Sequence, residues 1–468
     1  MDGSPVTNPF LSGNFAPVRT EDDFQLEVTG EVPPGLHGVL IRNGPNPQFE
    51  PLDPKHHWFL GDGMVHGFYI ADGAVRYRNR YVRTPKWRLE HAAGRALFSL
   101  FKPALADPAS LGQDSGTANT NMVWHAGKLL ALEEGRLPTE MSAPSLDTLG
   151  YCEAYRGGVT AHPKIDPVTG EMLWFAYGVG EKPLSPGMSF GITDRSGEVT
   201  RRQDFQAPYC SMVHDFMVSE HHVAFPVLPL TGSLDRAMKG LPPFAWEPEA
   251  GAFIGVMRRD ADVSDIRWIQ TDPCYVYHTA NAWEADGKLF CDVLRFASAP
   301  LFPKPDGSPG EDVSARLVRW TIDLSGATDA TDATDAIGEA VLDDLPCEFP
   351  RLDPRFETRA YRHLWMAADP SRSPGFPFRA ILHLDLMSGR RTIHELPDGD
   401  IASEPVFVPR APDAPEGDGW ILAVVWRSVE DRSDLVILDA LDVGKGPIAV
   451  AAVPRRVPFG FHGGWAPG

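Results

Sequence analysis

Cysteine is scarce in this chain of 468 residues: there are five (Cys152, Cys210, Cys274, Cys291 and Cys347), and no two stand in a CxxC spacing. That excludes a disulfide-stapled scaffold and a zinc knuckle, and points to a reducing, cytoplasmic setting. No apolar run approaches the roughly 18 residues that a membrane-spanning helix needs. The opening stretch, MDGSPVTNPFLSGNFAPV, has neither a positive leader nor a continuous apolar core. Positive charge is also in short supply: 43 Lys and Arg stand against 63 Asp and Glu, for a net charge of −20. A phosphate-neutralising footprint is therefore absent, and neither nucleic acid nor another polyanion is the expected partner.

What the chain does contain is a strand and turn grammar. Apolar residues make up 43% and there are 44 Gly and 44 Pro, enough apolar surface for a large core and enough punctuation for many turns. Short alternating runs close on small turns containing Gly, as in FYIADGAVRYRNRYV, MVWHAGKLLALEE, IDPVTGEMLWFAYG, WEADGKLFCDVL and LHLDLMSGRRTIHEL. Glycine supplies the positive φ that tight hairpins require. Hairpins repeated along the whole length predict an all-β body that manages its sheet edges by closure or radial repetition, with a propeller the economical solution. Blade number does not follow from periodicity alone.

Three segments depart from this grammar. Residues 89–111 read as helical up to Pro103, and residues 229–251 mix Leu, Met, Phe and Trp with four prolines; both read as functional insertions. Residues 326–340 form a Thr-Asp-Ala repeat expected to be a solvated loop.

Four histidines occupy similar settings: His162 in TAHPK, His214 in MVHDF, His278 in YHTANAWE and His462 in GFHGGW. Their separations of 52, 64 and 184 residues suit one repeat of about sixty residues, with histidines on repeats n, n+1, n+2 and n+5. Such positions can meet on a common axis. Four neutral imidazoles without a thiolate suit Fe(II), Cu(II) or Zn(II), and an octahedral ion held this way keeps two positions free. Glu134, Glu348 and Glu404 are candidates to accept the far N–H of ligating imidazoles. Taken singly, each histidine reads more readily as a buried, hydrogen-bonded structural residue. The adjacent pairs His56-His57 and His221-His222 are poor bidentate sites, because neighbouring strand side chains face opposite ways.

The strings LIRNGPNPQFEP, HHWFLGDGMVHGF, GTANTNMVWHAGKLLALEEG, TAHPKIDPVTGE, VHDFMV, NAWEADGKLF, EFPRLDPRF, SEPVFVPR and FHGGW, in this order from about residue 25 to 465, resemble the carotenoid cleavage oxygenase family. The resemblance implies a single seven-bladed β-propeller domain over residues 1–468 with an α-helical dome over the axial face. The segments 89–120 and 229–251 would contribute to that dome and to a tunnel mouth. It implies one Fe(2+) per chain on His162, His214, His278 and His462. Glu134, Glu348 and Glu404 would orient His214, His278 and His462 respectively, and Thr120 would crowd one free iron position.

The implied activity is cleavage of a conjugated C=C bond with O2 to give two carbonyl products. Stilbene-cleaving members hold a 4-hydroxyl group with a tyrosine from the region before NTN and a lysine before the motif glutamate. Here no Tyr lies between Tyr81 and Tyr151, Phe101 is the candidate replacement, and Glu133 stands where the lysine would be. A carboxylate repels a phenolate, which favours an apocarotenoid or related polyene over a lignostilbene or an isoeugenol-like phenylpropene. Phe59, Phe101 and Glu133 are the expected substrate contacts. The partners implied are a hydrophobic conjugated small molecule and O2, with peripheral membrane contact through the two insertions as an open alternative to their simply roofing the propeller. Two other readings stand beside this one: the retinyl ester isomerisation and hydrolysis of vertebrate members, and a non-catalytic ligand-binding propeller.

Overall fold

The computed structural model describes residues 8–325, 337–373 and 378–468. Seven antiparallel sheets, each of four or more strands, succeed one another along the chain and form a seven-bladed propeller. The second blade illustrates the unit: Asn121–His125, Lys128–Leu132, Thr139–Met141 and Thr148–Tyr151 pair in simple order. The third runs from Lys164–Ile165 to Val199–Gln206, the fourth from Met217–Val218 to Arg267–Thr271, the fifth from Tyr275–Ala285 to Ile337–Asp343, and the sixth from Cys347–Leu352 to Arg390–Glu395.

The hairpins form where glycine predicts them. Asp72-Gly73, Ala126-Gly127 and Asp286-Gly287 each place two successive residues at positive φ, between 51° and 77°, as a two-residue turn with matching twist demands.

Both chain ends close the ring. Gly463–Pro467 becomes the innermost strand of the first blade by pairing with Gly38–Pro45, and Glu27–Gly30 becomes the outer strand of the seventh by pairing with Ala449–Val453. Each terminus thus covers an edge that would otherwise present unpaired backbone groups. Between blades the sheets bury apolar faces such as Leu289, Leu317, Leu364 and Leu382, none of them measurably exposed. Each such leucine contributes about 1.5–3 kcal/mol of burial.

Helix is confined, among the described residues, to α1 (Pro85–Ala93) and α2 (Leu234–Met238), with several 3₁₀ turns. The helices available to the cover over the axial face are therefore short, and α2 reaches the axial cavity through Leu234 and Ala237. The helix expected to continue to Pro103 stops nine residues earlier, because Gly94 adopts φ +67° and turns its amide back onto the carbonyls of Glu90 and His91. In the second insertion, Leu230–Gly232 and Phe244–Trp246 form a two-stranded ribbon flanking α2. Of the Thr-Asp-Ala repeat, residues 326–336 lie outside the described residues, and the remainder opens the strand Ile337–Asp343.

Candidate metal centre

All seven blades send one residue to the axis. His162 immediately precedes the inner strand of the third blade, His214 that of the fourth, and His278 lies within that of the fifth. The long gap to His462 spans the sixth and seventh blades and returns to the first, where His462 precedes Gly463–Pro467. The second, sixth and seventh blades supply Glu134, Glu348 and Glu404. Two of these residues sit at irregular backbone: the ladder slips between Val276 and Thr279, beside His278, and again between Glu348 and Arg351, where Phe349 takes φ +55°. Such bulges re-aim a side chain that regular pleating would send into a sheet face.

The four imidazoles are buried and their ligand atoms lie within 4.8 Å of one another. Nε2 of His214 is 3.0 Å from Nε2 of His162 and 3.2 Å from that of His278, and Nε2 of His278 is 3.0 Å from that of His462. On the far side of three rings, Nδ1 meets a carboxylate: His214 meets Glu134, His278 meets Glu348, and His462 meets Glu404 at 2.8 Å. A ring that donates its Nδ1–H to a carboxylate presents a bare lone pair at Nε2. Several such lone pairs facing one another at about 3 Å repel unless a cation lies between them. Nitrogens at right angles about one ion with bonds of about 2.1 Å stand about 3.0 Å apart, so the donor set fits a single first-row ion.

The electrostatics are unequal around the ring. Burial drives His162 and His278 well below the ordinary imidazole value, and takes His462 down to about 4 even though the Glu404 carboxylate opposes it. In His214 burial works the same way but is outweighed by the Glu134 carboxylate, which raises it. Burial pushes Glu348 up to about 8. The same burial acts on Glu404, yet Arg351 and His462 hold its carboxyl far below the carboxylate range.

Sequence reasoning missed two of these supporting residues. Arg351 donates from Nη2 to Glu404 Oε2 at 2.9 Å, holds Nε 2.9 Å from Oε1, and also reaches the carbonyl of Gly463. Tyr177, from the second strand of the third blade, donates its hydroxyl to Glu134 Oε2. Arg351 lies within EFPRLD, three residues after Glu348, so its place in that string was the available signal. Nothing local marked Tyr177.

Above the imidazoles opens a cavity of about 520 Å³, walled largely by apolar surface that includes Phe59, Phe101, Tyr177, Phe244, Tyr277 and Phe461. Both insertions reach it, the first through Leu100, Phe101 and Thr117 and the second through Leu234, Pro243 and Phe244. Thr120 lines the cavity; its hydroxyl donates to Asn119 Oδ1 at 2.9 Å and its carbonyl accepts from the His462 amide at 3.1 Å. Glu133 also lines it, with Oε2 accepting from the amides of Thr117 and Ala118 and from the Thr117 hydroxyl. Its Oε1 lies 3.7 Å from Arg136 Nε, and burial raises its carboxyl. The adjacent histidine pairs stay outside the group: His222 pairs with Glu284 at 3.0 Å, and His57 packs edge-on against Phe59.

Comparison with known proteins gives the same picture from an independent direction. The family described as retinal pigment epithelial membrane protein (RPE65) matches residues 15–467, nearly the whole chain. The chain belongs to the RPE65/carotenoid cleavage oxygenase family. Within that family it is 38% identical to the isoeugenol monooxygenase of Pseudomonas putida, over 98% of each chain. The lignostilbene dioxygenase of Pseudomonas brassicacearum superposes with a TM-score of 0.93 at 35% identity, over 98% of this chain and 99% of that one. A cobalt-substituted apocarotenoid oxygenase (ACO) of Synechocystis superposes with a TM-score of 0.85 at 30% identity, over 97% of each. The last shows that a member of the family holds a metal ion. Among the described residues no helix is long and apolar enough to cross a membrane.

Proposed function

We propose that the protein is a non-haem iron(II) dioxygenase that cleaves a conjugated C=C bond of an apocarotenoid-like polyene, using O2 to give two carbonyl products. The observation that carries this reading is the convergence of four imidazole Nε2 atoms beneath an apolar cavity, with three of the rings backed by carboxylates. In this reading His162, His214, His278 and His462 hold one ferrous ion per chain. Glu134, Glu348 and Glu404 orient three of the rings, and Thr120 narrows the space beside them. Bound iron supplies the activation of O2.

The chain's own residues then have three tasks. The apolar walls, with Phe59 and Phe101 among them, exclude water and align one double bond, since a shift of register along the polyene changes the products. Burial keeps His162, His278 and His462 neutral. No protein acid or base is required, because the alkene bond breaks and each of its carbons takes one oxygen atom. The nearby phenols agree with this: Tyr177 is committed to Glu134, and Tyr277 donates to the carbonyl of Pro300 at 2.7 Å. Burial raises both phenols well above their ordinary value.

The remaining features fit the same proposal. The chain works as one propeller domain, residues 89–120 and 229–251 cover the axis and frame the tunnel mouth, and the five buried free thiols suit the cytoplasm. Leu105, Leu111 and Met238, exposed on those covers, offer apolar surface for contact with a membrane that stores the substrate.

A second reading, cleavage of a lignostilbene or phenylpropene, is favoured by one feature of the cavity. Its polar end gathers Ser115, Thr117, Glu133 and Arg136, where Glu133 Oε1 can accept from a neutral hydroxyl group. Iron-loaded protein supplied with ¹⁸O2 and a β-apocarotenal should yield two carbonyl fragments, each carrying one labelled oxygen, by mass spectrometry. Conversion of isoeugenol or resveratrol alone would overturn the polyene preference. Products without label would overturn the dioxygenase reading.

A further inference from the structure

We propose that the buried ion cluster of Asp62, Lys86 and Glu90 is a latch that sets the width of the substrate cavity by tying two of its walls together, with Glu90 as a positioning residue for substrate selection. The inference rests on the reading that the cavity receives the substrate. Lys86 Nζ lies 2.7 Å from Asp62 Oδ1 and 2.8 Å from Glu90 Oε2, and the three side chains are 8%, 3% and 4% exposed. Three charged groups so deeply buried are costly to keep in place of apolar packing. What they supply is geometry.

Each carboxylate uses its second oxygen to hold backbone. Glu90 Oε1 accepts from the amides of Leu97 and Phe98 at 2.8 and 3.1 Å. Asp62 Oδ2 accepts from the Gln48 amide at 3.1 Å, while its carbonyl accepts from the Asn46 amide at 2.6 Å. Immediately beyond these anchors lie cavity-lining residues: Leu100 and Phe101 follow Phe98, and Phe59 and Leu60 precede Asp62. Residues 95–102 form no helix or strand, so Glu90 replaces the ladder that would otherwise place this wall. A second void of about 40 Å³ lies behind it, bounded by Asp62, Lys86 and Glu90 and sharing Leu60, Leu100 and Phe101 with the main cavity. The wall is one side chain thick there, and the ammonium of Lys86 stands behind it as the common anchor.

The test is Glu90→Gln in the full-length, iron-loaded protein. Hydrogen exchange at Leu97 and Phe98 should accelerate about tenfold or more. KM for a β-apocarotenal should rise about tenfold with kcat within about twofold and iron content unchanged, a split expected of lost binding geometry. In the native protein, the amides of Leu97 and Phe98 should exchange more slowly than those of residues 99–101, a measurement that stands even where the variant fails to fold. Unchanged KM together with unchanged exchange would overturn the latch, as would equally fast exchange across 97–101 in the native protein. If the dioxygenase reading alone were wrong, no carbonyl products would form, yet the exchange pattern would persist, and the apocarotenal would still quench the fluorescence of Glu90→Gln more weakly than that of the native protein.

Discussion

Replacing Glu404 by Gln removes one negative charge from the wall of the metal centre while keeping its volume. Glu404 accepts from His462 Nδ1 at 2.8 Å and from the Gly463 amide at 2.9 Å, and it pairs with Arg351 through both oxygens. Glutamine retains one acceptor oxygen but turns an amide donor toward one of these three donors. A supporting carboxylate of this kind is worth about 10–100-fold in metal affinity, or about 1.4–2.8 kcal/mol. Arg351 loses its anion as well, although its side chain is 30% exposed, so water offsets part of that cost.

Glu348 provides the internal comparison. Its Oε2 meets His278 Nδ1 and accepts from the Phe349 amide, while its Oε1 meets no hydrogen-bond donor among the described residues, so Glu348 is held less firmly than Glu404. Glu348→Gln should therefore weaken metal binding less than Glu404→Gln does. Apoprotein titrated with Co(II) in competition with a chromophoric chelator reads both affinities directly. A Glu404→Gln variant that binds within twofold of wild type, or that binds more tightly than Glu348→Gln, would refute the reasoning.

Tyr177→Phe should lower metal affinity about three- to tenfold and shift the Co(II) ligand-field spectrum without unfolding the protein, since only one hydrogen bond to Glu134 is lost. Acid should destabilise the fold early. Burial holds His56, His57 and His383 at about 4 and His66 at about 3, so below pH 6.5 the unfolded chain takes up protons that the folded protein refuses. Each histidine then costs up to about 1.4 kcal/mol per pH unit, partly offset by Glu348 and Glu357, whose raised carboxyls bind protons in the folded state first. Urea midpoints that stay flat between pH 7 and pH 5 would contradict this. Gly63→Ala should cost about 1–3 kcal/mol and impair turnover, because a Cβ there would stand 2.5 Å from the carbonyl oxygen of Ala118 and 2.7 Å from that of Thr117, in the loop leading to Thr120. Thiol reagents at pH 8 should leave native protein unmodified and label five cysteines on unfolding, since burial encloses all five and raises Cys152 and Cys210 to about 11.

Much of the architecture was legible along the chain because turns are local. A hairpin such as Asp286-Gly287 needs positive φ at two adjacent residues, and the pair itself declares this. The histidines were legible for a related reason: one repeat brings the start of each inner strand to the axis, so regular spacing turns into convergence. The early end of α1 was written in Gly94, but the apolar residues beyond it outweighed that sign.

Composition, hairpin chemistry, the family strings and the seven candidate ligands and supports were thus properties of the amino-acid order itself, carried by short-range backbone preference and by recurrence. Only the closed ring decided the rest. The slipped ladders that aim His278 and Glu348, the grip of Arg351 on Glu404 across the sixth and seventh blades, the phenol of Tyr177 and the pairing of both termini all join segments far apart in the chain. Contacts of that kind arise when seven separate sheets pack around one axis, and no local preference encodes where their side chains will meet.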